Sequence, residues 1–232
     1  MKEKPPPGLF ITGTDTGVGK TWIGCLIAQQ LAATGLRVGV YKPVETGCLQ
    51  KDTLVAADAR SLWRAAGQPG EEWAVCPQRF AQPLAPHLAA AEEGKRVDTK
   101  LLREGIEYWY PRSDILLVEG AGGLMSPISD DDYVADLALD LGYPILVVAP
   151  NRIGAINQTL QTLITAATFR DGLEVAGVII NDVESHSEED PSTQSNFREL
   201  ERHCVPPILT QVSHQATEIA HVDFVSLAKH PV

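Results

Sequence analysis

The sequence predicts an α/β fold of three layers, a mostly parallel sheet with helices on both faces. Three observations point there. Short apolar, β-branched runs alternate with segments of helical period. The runs at 115–118 and 145–148 are apolar at every position, as strands covered on both faces require. The first run passes through a glycine-rich turn straight into a helical segment.

In chain order, Leu9-Phe10-Ile11-Thr12 is the first strand, closed by Gly13. Ile23, Ile27 and Leu31 recur every four residues and mark a helix that Gly35 ends. Arg37-Val38-Gly39-Val40-Tyr41 is the second strand. Residues 53–66 carry a helical pattern, 69–86 are proline-rich and irregular, and 87–93 and 100–109 are two further helices. The strands at 115–118 and 145–148 follow, the latter leading into a helix marked by Ile156, Leu160, Leu163, Ile164 and Ala167. Residues 175–180 form another strand, the polar, acidic stretch 184–196 a solvated loop, and 196–203 a late helix. No repeat, low-complexity tract or linker divides the chain, so one domain over residues 1–232 is expected.

Composition bounds the function. Of 232 residues, 44% are hydrophobic and 21% charged, which suits a folded chain. Thirty acidic residues against 19 basic leave a formal charge of −11. That argues against nucleic acid or an anionic membrane surface as a partner, since both need a basic footprint. Cys25, Cys48, Cys76 and Cys204 lie far apart with no C-x-x-C spacing, which reads as reduced thiols. The first residues lack the apolar core of a signal peptide, and the uncharged run 153–169 is too polar to span a membrane. A soluble, cytoplasmic protein is expected.

The chemistry concentrates in three stretches. Gly13-Thr14-Asp15-Thr16-Gly17-Val18-Gly19-Lys20-Thr21 joins a strand to a helix, the context a phosphate-binding loop needs. Glycines let successive N–H groups turn inward into an anion nest, and the helix N-terminus adds partial positive charge. Lys20 would reach the β- and γ-phosphates, and the Thr21 hydroxyl would meet Mg²⁺. Five residues rather than the usual four separate Gly13 from Gly19. Lys42-Pro43-Val44-Glu45-Thr46-Gly47 and Glu119-Gly120-Ala121-Gly122-Gly123 each follow a strand, at the carboxyl ends where open α/β sheets bind ligands. A carboxylate there supplies the hard oxygen that Mg²⁺ requires. The fold expected is therefore of the P-loop nucleotide-binding type.

These stretches, with Pro83-Leu84-Ala85-Pro86-His87 and Asn181-Asp182-Val183, occur in the order that resembles the dethiobiotin synthetase family, and the likeness spans residues 9–183. The five-residue glycine spacing is that family's own. The resemblance implies an ATP-dependent cyclo-ligase joining CO₂ to 7,8-diaminononanoate through a carbamate and a carbamic-phosphoric anhydride. By position, Thr16, Gly17, Val18, Gly19, Lys20 and Thr21 would cradle the phosphates, and Thr21, Asp58 and Glu119 would hold Mg²⁺. Lys20 and Lys42 would be the catalytic cations, with Lys42 stabilising the carbamate. Thr46, Gly122 and Gly123 would meet substrate, and Asn181 would read the adenine edge. The family's homodimer would bring the segment 151–157, with Asn157, to the partner's substrate pocket.

Two features stand apart from the resemblance. Where the family has a late Gly-x-x-Pro turn beside the base, this chain has Thr210-Gln211-Val212-Ser213. The alternative function is a dimerising switch ATPase of the partition or septum-placement kind, on the same fold. Such proteins carry an extra lysine in the phosphate loop, and Asp15 stands at that position here.

Overall fold

The computed structural model describes residues 4–185 and 191–229. The elements begin with β1 (Gly8–Gly13), α1 (Lys20–Ala33) and β2 (Val38–Tyr41). Two-residue strands β3 (Val44–Glu45), β4 (Leu49–Gln50) and β5 (Thr53–Leu54) lead to α2 (Ala57–Ala65), α3 (Glu72–Val75) and β6 (Gln78–Arg79). Next come α4 (Pro86–Glu92), α5 (Thr99–Glu104), a 3₁₀ stretch Gly105–Arg112, and β7 (Ile115–Gly123). The chain continues with α6 (Val134–Leu141), β8 (Ile145–Pro150), α7 (Ala155–Thr168) and β9 (Val175–Asn181). It closes with α8 (Pro191–His203), β10 (Ile208–Val212) and α9 (Phe224–Leu227).

Six strands form one parallel sheet in the order β10-β9-β8-β1-β7-β2. Parallel pairing forces a crossover between successive strands, and helices supply it. Every residue of β1 and of β8 is buried, so both faces of the sheet are covered. From β1 the chain leaves toward β2, and from β8 toward β9 on the opposite side. Order therefore reverses between β1 and β8, which opens a crevice at their carboxyl ends. Gly13 ends β1 opposite both Gly123 of β7 and Val148 of β8, so three loops emerge at one level.

The strand expectations at 9–12, 115–118, 145–148 and 175–180 fall within sheet strands, and that at 37–41 does so from Val38 onward. Elsewhere the structure differs, for physical reasons. The helix expected over 53–66 starts at Ala57, because Thr53–Leu54 pairs antiparallel with Leu49–Gln50 in a small hairpin. The helix expected over 100–109 tightens to 3₁₀ geometry at Gly105, where a Cβ would run into the buried Tyr41 hydroxyl. The irregular stretch 69–86 contains α3 and β6. Helix α8 begins at Pro191, inside the stretch read as a loop; residues 186–190 of that stretch lie outside the described residues. Helix α6 and strand β10 had not been expected at all. Among the described residues, no helix is long and apolar enough to cross a membrane.

Candidate active site

The loop after β1 ends at Gly19, the N-cap of α1, with φ of 92° and no side-chain cap. The first N–H groups of α1 thus have no intrahelical acceptor and are free to meet an anion. Gly19 is needed twice over: its backbone is left-handed, and a Cβ would collide with the Asn181 amide. That amide donates to the Val18 carbonyl at 3.0 Å, tying the end of β9 to the loop. Lys20 is 7% exposed, and its ammonium donates back to the Asp15 carbonyl at 2.9 Å. Burial lowers its pKa, with nearby Lys42 adding to the effect against the pull of Glu119.

Opposite stands a second lysine. Lys42 leaves the end of β2, is 5% exposed, and forms an ion pair with Glu119 of β7. It lies 3.3 Å from the Asp58 carboxylate on the first turn of α2. Burial alone would lower its pKa, but Glu119 and Asp58 outweigh that and hold it above the ordinary lysine range. The same Glu119 oxygen accepts the Thr21 hydroxyl at 2.8 Å, while Glu119 Oε2 is buried without a hydrogen-bond partner.

Around these groups lies a cavity of about 760 Å³. It gathers Thr16, Gly17, Gly19, Lys20, Thr21, Lys42, Thr46, Asp58, Glu119 and Gly122, residues from four separate parts of the sequence. Its far wall is the turn Pro83-Leu84-Ala85-Pro86 with Ser126 and Pro127. Four expected residues do not line it. The Val18 side chain is buried in the core, and Asn181 lies behind the loop, 3% exposed. The Gly123 N–H is engaged by the Ser126 hydroxyl at 3.0 Å. Asn157 is exposed on the first turn of α7. A residue given no role from sequence, Glu45, also lines the cavity and is buried. It stands within the strand-end stretch 42–47, in which only Lys42 and Thr46 were given roles.

Among the described residues, no group of three or more His, Cys, Asp or Glu gathers to hold a metal ion. The oxygens available are the Thr21 hydroxyl and the Glu119 and Asp58 carboxylates, with Glu119 Oε2 unpartnered. That set fits Mg²⁺, which commonly takes one or two carboxylates and completes its shell with phosphates and water. The four cysteines are free, and burial pushes their thiols up, Cys25 and Cys76 to about 12, Cys48 to about 11, and Cys204 in the same direction. Where a Gly-x-x-Pro turn was looked for, Thr210, Gln211 and Val212 lie in β10, and the Gln211 amide is 3.1 Å from both Asp182 carboxylate oxygens.

A family model described as an AAA domain matches residues 7–219. The chain is 42% identical over 215 residues to the ATP-dependent dethiobiotin synthetase of Rhodopirellula baltica, covering 88% of this chain and 82% of that one. It is 36% identical over 230 residues to the enzyme of the same name from Bacillus licheniformis, covering 93% of each. Among solved structures, a plasmid partition protein of Borrelia burgdorferi bound to AMPPNP matches with TM-score 0.54 at 12% identity, over 97% of this chain and 95% of that one. A ParA family ATPase of Chlorobium tepidum matches with TM-score 0.53 at 13% identity, over 91% of this chain and 85% of that one. At such identities these two show the shared fold alone.

Proposed function

The chain belongs to the dethiobiotin synthetase family, and on that footing we propose that the cavity closes the ureido ring of dethiobiotin from ATP, CO₂ and 7,8-diaminononanoate. The observation that supports it best is that two buried lysines, Lys20 at the start of α1 and Lys42 at the end of β2, line one cavity with Glu119, to which Lys42 is paired. Phosphoryl transfer between two anions needs positioning and charge neutralisation rather than a protein nucleophile. A cation on the donor side and another on the acceptor side meet that need.

The chemistry runs as follows. One substrate amine adds to CO₂ and loses a proton, giving a carbamate. A carbamate oxygen attacks the γ-phosphorus, the bond to the ADP oxygen breaks, and a carbamic-phosphoric anhydride forms. The second amine attacks the carbonyl carbon, phosphate leaves, and the ring closes. The nest at 16–21 and the α1 N-terminus hold the phosphates, and Lys20 exchanges the Asp15 carbonyl for a phosphate oxygen. Lys42 holds the carbamate and the charge that grows in transfer, while Thr46 and Gly122 border the acceptor. Thr21, Glu119 and Asp58 would hold Mg²⁺, which when bound offsets charge on the phosphates. Asn181, whose amide donates to the Val18 carbonyl beside the loop, is the residue we propose for contact with the base.

We assign the whole chain, residues 1–232, to one domain, since six strands drawn from Gly8 to Val212 form the central sheet. A homodimer fits the turn before α7, where Ile153 is 83% exposed, and the exposed Asn157 on the first turn of that helix. A cytoplasmic location fits four free thiols.

The deciding experiment is ADP release with and without bicarbonate and the diamine. Release should require both co-substrates; release that ignores the diamine would favour the switch ATPase and overturn the ligase reading. Replacing Thr21 by valine should raise the Mg²⁺ concentration for half-maximal rate by about tenfold or more, the scale of one lost metal contact. An unchanged metal titration would remove Thr21 from the metal site.

A further inference from the structure

Glu45 is a buried carboxylate that none of the steps above uses. It sits on β3, three residues after Lys42, 7% exposed at the cavity edge. Its Oε1 accepts the N–H of Asp58 at 3.0 Å and its Oε2 that of Ala59 at 2.9 Å. These are N–H groups of the first turn of α2, which a helix cannot satisfy internally. The N-cap residue is Ala56, which offers no side-chain acceptor. The cap therefore comes from a residue 13 and 14 positions earlier in the chain. A carboxylate at a helix N-terminus also meets the positive end of the helix dipole.

The same turn carries the functional carboxylate Asp58, half exposed, with its oxygen 3.3 Å from Lys42. An ion pair that open to water contributes little unless its partners are already held in place. We propose that Glu45 is the positioning residue of the acceptor side: by capping α2 it holds Asp58 on Lys42, and so fixes where the Lys42 ammonium points. Lys42 and Glu45 leave one four-residue segment, so a single stretch of backbone sets both the cation and the helix bearing its second counter-ion. This rests on the assignment of Lys42 to the acceptor side made above.

The test uses the full chain, isotopically labelled, with amide hydrogen exchange read at Asp58 and Ala59 beside kcat and the ATP KM. Glu45→Ala should speed exchange at both amides by about tenfold, the scale of one hydrogen bond to a charged group. It should lower kcat by about tenfold while leaving the ATP KM within about twofold, because the phosphate loop is untouched. Adding Ala56→Ser to that variant supplies a local N-cap and should restore both readouts toward the parent. Glu45→Gln keeps the volume and one acceptor, so it should fall between parent and Glu45→Ala; it carries the test if Glu45→Ala does not fold.

Unchanged exchange in Glu45→Ala overturns the cap. Faster exchange with an unchanged kcat overturns the positioning role and leaves Glu45 a stabilising residue. A folded double variant that restores neither readout overturns it as well. Asp58→Asn separates the two readings: normal turnover there removes Asp58 from the reaction, while exchange at the α2 amides still decides for or against Glu45.

Discussion

Lys20→Ala should lower diamine-dependent turnover by about 10²–10⁴. The ammonium lies at the start of α1, 7% exposed, and donates to a carbonyl of its own loop. A bond to a neutral carbonyl is readily exchanged for one to a phosphate oxygen, which is charged and forms a stronger hydrogen bond. Because Lys20 forms no buried ion pair, the substitution leaves no carboxylate stranded in the core, and its effect should appear in kcat/KM rather than in folding. Steady-state kinetics with a parallel thermal melt would check this. Turnover within a few fold of the parent would refute the phosphate-binding reading of the loop.

The second large effect is expected at Lys42. Lys42→Gln should cut diamine-dependent turnover by about 10² or more, the scale of one preorganised charge contact. ATP binding should stay within about a few fold, since phosphate affinity rests on the nest and Lys20. The structure adds a cost: Glu119 is 2% exposed and loses its cation, and breaking a buried pair destabilises by about 3–5 kcal/mol. Glutamine retains an N–H donor for Glu119, so the loss should fall at the low end of that range. Calorimetry for nucleotide binding, the ADP-release assay and thermal unfolding separate the three effects on one sample. Collapse of ATP binding with normal turnover per bound ATP would move Lys42 to the nucleotide side. The two lysines also differ in titration: as pH rises Lys20, lowered, loses its proton before Lys42, raised.

Much of the site was legible locally because each piece is a short segment with its own chemistry. Gly13 to Thr21 needs only a strand before it and a helix after it to become an anion nest. Glu119 needs only an apolar strand that ends in glycines. The same locality explains what was missed. Residues 134, 137, 138 and 141 of α6 have helical spacing, but eight residues behind a polar turn are a weak signal. Strand β10 contains Thr210 and Gln211 and is partly exposed, so it has no apolar run. It becomes a strand by pairing with β9.

By itself, then, the sequence determined the alternation of strands and helices, the phosphate loop, and which lysines and carboxylates stand at strand ends. Only the tertiary structure decided what those groups face. Lys42 and Glu119 are 77 residues apart and meet because β2 lies beside β7, not beside β1. Thr21 and Glu119 are 98 residues apart, and the Thr21 hydroxyl donates to the Glu119 oxygen that Lys42 also holds because β7 lies beside β1. Glu45 caps a helix whose own N-cap residue is an alanine, a role visible only when β3 and α2 are packed together. Periodicity encodes which face of an element is buried, through contacts within a few residues. Strand order is set by the packing of the whole sheet, and that order brings the charges together.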